Sequence, residues 1–123
     1  MWANPKRQVS ERAGVAFALV LTLFLSVVVR RLEVVGPSMI PTYAPGERVS
    51  AVRKWRRVRV GDVVALEDPE NAQRFLLKRC VARQGSRLDV RGDNAAISVD
   101  SRDFGLIASS SIKWIVVHPR PPY

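Results

Sequence analysis

Ser38 and Lys78 are the two side chains on which a reaction could be built. Ser38 stands in Gly36-Pro37-Ser38-Met39-Ile40-Pro41-Thr42, a constrained, non-helical stretch that can hold a hydroxyl outward. A serine between glycine and prolines is ordinarily only a turn residue, so a chemical reading needs a base. The single histidine, His118, lies at a Pro-rich end and is badly placed for a Ser-His-Asp triad. Lys78 is the other candidate. It lies in Phe75-Leu76-Leu77-Lys78-Arg79-Cys80-Val81-Ala82. If that run is a strand, Leu76, Lys78, Cys80 and Ala82 share one face, and Leu77, Arg79, Val81 and Arg83 the other. Lys78 then sits on the more apolar face, where burial disfavours the ammonium and lowers its pKa. Half-deprotonation near neutral pH corresponds to roughly 4 kcal/mol of differential destabilisation. The bland alternative is an edge lysine whose stem covers the core while its amine reaches water, and periodicity alone favours it.

Two further segments carry short polar side chains at fixed spacing. Gly92-Asp93-Asn94-Ala95-Ala96-Ile97-Ser98-Val99-Asp100-Ser101-Arg102-Asp103-Phe104-Gly105 reads either as a solvated loop or as a hydrogen-bonded platform. Gly61-Asp62-Val63-Val64 is a turn entering a strand.

In this order the segments resemble the signature boxes of the type I signal peptidase family: a membrane anchor, then S-M-x-P-T, G-D-V-V, K-R and G-D-N-x-x-x-S-x-D-S-R-x-x-G. The resemblance runs from about Val34 to Pro119. It implies a serine–lysine protease. Ser38 is then the nucleophile, and Lys78, as the neutral amine, its general base. Ser98 matches the serine that orients the lysine. Asp100 and Arg102 match a supporting ion pair, with Asp93 and Asn94 as structural support. The Ser38 backbone N–H is implied as one oxyanion donor. No metal or cofactor is required. The expected partners are a precursor polypeptide with an N-terminal signal or propeptide, and a lipid bilayer.

The chain also departs from relatives of that family. Gly36 stands where some carry a second hydroxyl, and Arg83-Gln84-Gly85-Ser86 replaces a Gly-x-Pro-Gly-Asp segment. There is no room for a large accessory β region. These reductions make the chain similar to the short proteases that mature nickel-type superoxide dismutase, with Gly36-Pro37 and Phe104-Gly105 carrying that likeness.

The elements that must position these residues follow from patterning. Residues 13–29 are uncharged, with Lys6, Arg7 and Arg12 before them and Arg30 and Arg31 after. This predicts an uncleaved transmembrane helix at the short end of the spanning range. Bracketing charges are too balanced to fix its orientation. Beyond Leu32, Val-rich runs alternate with Gly, Pro, Asp and Asn. They predict strands over Leu32–Val35, Arg48–Val52, Val63–Glu67, Phe75–Ala82, Arg87–Val90 and Ile112–Val117. The expected fold is mostly β: a small antiparallel signal-peptidase-like domain over 32–118 after one N-terminal transmembrane helix. A basic tail over 1–12 precedes it and a loosely held Pro-rich tail over 119–123 follows. The expected localisation is a single-pass membrane protein with its catalytic domain outside the cytoplasm, or on the cytoplasmic face if it is a dedicated maturase.

Composition bounds the rest. The chain has 123 residues and a formal charge of +9, so one domain and an anionic partner. One cysteine excludes an intrachain disulfide. The charge admits a basic nucleic-acid- or membrane-binding module without catalysis as the alternative. No recognition-helix or aromatic stacking pattern supports nucleic acid, and none is expected as partner. The run Arg53-Lys54-Trp55-Arg56-Arg57-Val58-Arg59 reads either as a solvated loop or as a headgroup interface.

Overall fold

The computed structural model describes residues 5–68 and 71–122. A helix α1 (Pro5–Val28) leads into seven strands: β1 (Val29–Glu33), β2 (Arg48–Arg53), β3 (Val63–Asp68), β4 (Asn71–Gln84), β5 (Arg87–Arg91), β6 (Ile107–Ala108) and β7 (Trp114–His118). A single turn of helix, α2 (Ser101–Phe104), lies between β5 and β6. The strands form one sheet in the order β1-β2-β7-β3-β4-β5-β6, with antiparallel pairings throughout. The mostly antiparallel β domain is the one the sequence predicts.

Alternation explains why the central strands read as near-continuous apolar runs. Neighbouring residues point to opposite faces, and both faces carry a core. Val63, Ala65, Leu77, Trp114 and Val116 join Leu32, Met39, Tyr43 and Val49 in one cluster. Val64, Cys80 and Ile115 join Val58, Leu88, Val90 and Ile112 in the other. Lys78 is flanked by Leu77 of the first cluster and, two residues on, by Cys80 of the second. It shares its face with Cys80.

The register sets a row that crosses the sheet. Val29 pairs with Val52, Val52 with Ile115, Ile115 with Val64, and Val64 with Lys78. The first residue after α1 and Lys78 therefore lie on the same transverse line. A register shift between Cys80 and Ala82 interrupts β4 just beyond it. Gly85, at φ 60, makes the tight turn into β5.

Three expectations change. First, among the described residues no helix is long and apolar enough to cross a membrane. The expected transmembrane helix is shortened because Val29 opens β1 instead of continuing α1. The uncharged helical stretch, 13–28, rises about 24 Å at about 1.5 Å per residue, short of a hydrocarbon core of about 30 Å. Its apolar side chains are exposed, Phe17 by 70% and Leu23 by 66%. Second, the stretch over 5–12, read as a tail, is helical and belongs to α1. Third, the Pro-rich end is tied down, not loose. The Tyr43 hydroxyl donates to the Pro119 carbonyl at 2.7 Å, and Arg79 Nη1 donates to the Pro122 carbonyl at 2.7 Å. Tyr123 lies outside the described residues.

Candidate active site

Lys78 is 4% exposed. An ammonium so placed is costly, and burial pulls its pKa below the ordinary lysine value; the Asp100 charge opposes the shift and the Arg102 charge adds to it. Lys78 Nζ donates to Ser98 Oγ at 2.9 Å. Ser98 Oγ also accepts from the Gly92 N–H at 3.1 Å. That N–H is shared with Asp100 Oδ2 at 3.0 Å.

Asp100 is fully buried and carries the loop. It accepts from Arg102 Nε at 2.9 Å, Arg102 Nη2 at 2.6 Å and the Arg102 N–H at 3.1 Å. The Arg102 guanidinium holds its carboxyl well below the usual carboxylate range, against the burial that would raise it. As N-cap of α2, Asp100 also gives its own N–H to Asp103 Oδ2 at 3.0 Å, which closes a capping box. Without the Arg102 guanidinium the Asp100 charge would act on Lys78 uncompensated.

Ser38 meets this platform through its backbone. Its carbonyl accepts from the Asn94 N–H at 2.8 Å, and Asn94 Nδ2 donates to the Pro37 carbonyl at 3.2 Å. Gly92 is the contact point of the two halves. A Cβ built there would lie 2.2 Å from Ser98 Oγ and 2.8 Å from the Ser38 carbonyl oxygen. Only glycine lets the serine loop and the Lys78–Ser98 pair approach this closely. Gly92→Ala is therefore expected to push the two apart and to lower stability by about 1–3 kcal/mol, as read by urea unfolding. An unchanged midpoint would contradict that packing.

A second cluster locks the same loops from the other side. Asp93 accepts from Arg79 Nε at 2.9 Å and Nη2 at 3.0 Å, and from the Thr42 hydroxyl. Arg79 Nη1 reaches the Gly61 carbonyl at 2.8 Å. Thus Thr42 of the serine segment, Arg79 beside the lysine, Gly61 of the G-D-V-V turn and Asp93 of the long loop meet at one guanidinium. Gly61 and Asp62 also bond across to Cys80, with the Gly61 N–H on the Cys80 carbonyl and the Cys80 N–H on the Asp62 carbonyl, each at 2.8 Å.

The structure thus gathers Ser38, Lys78, Ser98, Asp93, Asn94, Asp100 and Arg102 in one place. It does not join the Ser38 hydroxyl to Lys78 Nζ by a hydrogen bond; the lysine is held by Ser98. His118 is exposed on β7 and takes no part. Gly92, Thr42, Arg79 and Gly61 are the residues to which sequence reasoning gave no role. All four lie inside the quoted motifs, so motif membership was the available signal.

Lys78 opens into a cleft of about 820 Å³. Leu66, Leu76, Val99, Phe104 and Ile107 supply apolar wall. Among the described residues no three His, Cys, Asp or Glu side chains converge as a metal site requires.

The comparisons with known proteins give the class to which this small antiparallel β domain belongs. The sequence matches the signal peptidase family, peptidase S26, over residues 7–93. The chain belongs to that family. It is similar to the mitochondrial ATP-independent inner membrane protease subunit 1a of Arabidopsis thaliana, with 24% identity over 140 residues, 91% of this chain and 83% of that protein. It is also 30% identical over 105 residues to the mitochondrial inner membrane protease subunit 1 of Schizosaccharomyces pombe, 67% of each chain. Subunit 2 of the Arabidopsis thaliana protease is 36% identical over 63 residues, 47% of this chain and 30% of that protein. The family match ends at Asp93 and does not reach Ser98, Asp100 and Arg102.

Proposed function

We propose that this chain is a membrane-attached serine endopeptidase that removes N-terminal signal peptides or propeptides through Ser38 and Lys78. The observation that carries the reading is the buried Lys78, held by Ser98 on the platform that touches the Ser38 backbone through Gly92.

A precursor lies extended along the cleft that Lys78 lines, and its scissile carbonyl is carried past that cleft to Ser38. Lys78, neutral, takes the hydroxyl proton as Ser38 Oγ attacks the carbonyl carbon. The Ser38 N–H, which donates no hydrogen bond among the described residues, faces the oxyanion. The tetrahedral intermediate collapses, Lys78 gives its proton to the leaving amine, and an ester to Ser38 remains. Water then loses a proton to Lys78 and attacks the ester, which frees the carboxylate and restores Ser38. The proton Lys78 receives in each attack is the one it returns in each collapse, so no cofactor enters the balance.

Membrane attachment is assigned to α1, whose large apolar side chains are exposed among the described residues. The relatives named as inner membrane proteases support membrane association. The second reading, a dedicated maturase for a nickel-type superoxide dismutase precursor, rests on Gly36-Pro37 and Phe104-Gly105.

A survey of protein N-termini in cells carrying the native chain or Ser38→Ala separates them. Retained signal peptides on many exported proteins support the general enzyme, one accumulating precursor the maturase. No change in any N-terminus would overturn the protease reading. The site also predicts a pH effect. Removing the Arg102 charge takes away a contribution that lowers the Lys78 pKa and leaves Asp100 raising it. Arg102→Gln is expected to move the ascending limb of the pH–rate profile toward alkaline pH. A limb that stays put or moves to acid would exclude Lys78 as the titrating base.

A further inference from the structure

A groove of about 450 Å³ lies at the root of α1, lined by Arg30, Arg31, Glu33, Asn71, Arg74 and Phe75 among others. Three arginines and one glutamate thus line it. None of the three arginines forms an ion pair among the described residues, and all three are exposed. Arg30 is held in place. Its guanidinium carbon sits 5.3 Å from the centroid of the Trp114 ring and 5.9 Å from that of Phe75, a stacking that fixes a cation while leaving its donors open.

The position matters as much as the charge. α1 ends at Val28 and β1 begins at Val29, so Arg30 and Arg31 follow the apolar helix directly. Arg74 comes from β4 and completes the groove from across the sheet. Arg53, partnered with Trp114 between β2 and β7, extends the cationic surface at this end.

We propose that this groove docks on the headgroups of an anionic phospholipid bilayer and so gives the domain a second membrane contact beside α1. Planar guanidinium forks suit phosphate oxygens. The inference rests on the membrane attachment assigned to α1 but makes a separate claim: α1 supplies apolar affinity for any bilayer, and the groove supplies preference for negative ones.

The test offers the full chain an equal choice between two vesicle populations, phosphatidylcholine alone and phosphatidylcholine mixed with phosphatidylglycerol. The populations are then separated and the protein in each is measured. The native chain should favour the anionic vesicles. Arg31→Gln/Arg74→Gln leaves the stacked Arg30 untouched and should reduce that preference on the order of 30-fold. Arg87→Gln/Arg120→Gln removes the same charge elsewhere and should reduce it far less. The difference should shrink as salt is raised. An unchanged preference in the groove variant, or an equal fall in the control pair, overturns the proposal. Release by inorganic phosphate, but not by chloride at equal ionic strength, would make the groove a soluble-anion site and also overturn it. Recovery of the native chain from neither population would instead sink the attachment through α1.

Discussion

At pH 7 the Lys78→Met chain is expected to melt at a higher temperature than the native chain and to leave its precursor uncut. Burial lowers the Lys78 pKa below its ordinary value of 10.5. Between the folded and unfolded values the unfolded chain holds a proton that the folded one does not, so acid favours unfolding. The cost of keeping Lys78 is complete below its folded pKa, fades as pH rises, and is gone above its unfolded one. Methionine has a similar reach and no charge to desolvate. The gain in melting temperature should therefore be larger at pH 6 than at pH 9 and vanish at the alkaline end. Cleavage should fall as far as in Ser38→Ala, on the order of 10⁶-fold, because nucleophile and base act as a unit. Ser38→Ala should melt within about 0.5 kcal/mol of the native chain. Thermal unfolding across pH, paired with a precursor-cleavage assay, reads both effects. Cleavage by Lys78→Met at neutral pH would refute the dyad, and a lower melting temperature would refute the burial cost.

Asp93→Ala should do the opposite and lose stability and activity together. The Arg79–Asp93 pair is 13% and 15% exposed, and removing one partner of such a pair leaves a desolvated charge. The expected cost is about 3 kcal/mol, the low end for buried pairs. Thr42 loses its acceptor at the same time, so the serine loop is freed at one end. A displacement of about 1 Å there would reduce turnover by about 100-fold. Burial pushes the Asp93 carboxyl up, but the hydrogen bonds from Arg79 and Thr42 and the Arg79 charge outweigh it, and its pKa ends below the ordinary value. Its contribution is thus present above the unfolded carboxylate pKa and lost as pH falls through the folded one. Native and variant chains should converge in stability in acid. Equal urea midpoints at neutral pH would show that the guanidinium junction holds nothing.

Strands β2 to β5 were legible because Val-rich alternation is local and glycines bound it. The chemistry of Lys78 was half legible. Period two put it on an apolar face, but nothing local showed that Leu77 faces a second core, so Lys78 has buried neighbours on both sides. α2 spans four residues and β6 two, too short for any periodic signal. Val29 was read as the end of an apolar run because a β-branched residue serves helix and strand alike. The Thr42–Asp93 bond joins residues 51 apart in sequence, and only the folded sheet brings them together.

The row from Val29 to Lys78 makes the enzyme a ruler. With no linker between α1 and β1, the domain cannot drift on a tether. Four interstrand steps of about 4.8 Å each place Lys78 about 19 Å sideways from the end of the helix, along the sheet rather than up a strand. With α1 as the membrane attachment proposed above, a bond brought to Ser38 would pass at a level set by the α1–β1 junction. Precursors would be sorted by how far their cleavage site stands from the bilayer before any side chain is read. Lengthening the Val28–Val29 junction would move that level without touching the site.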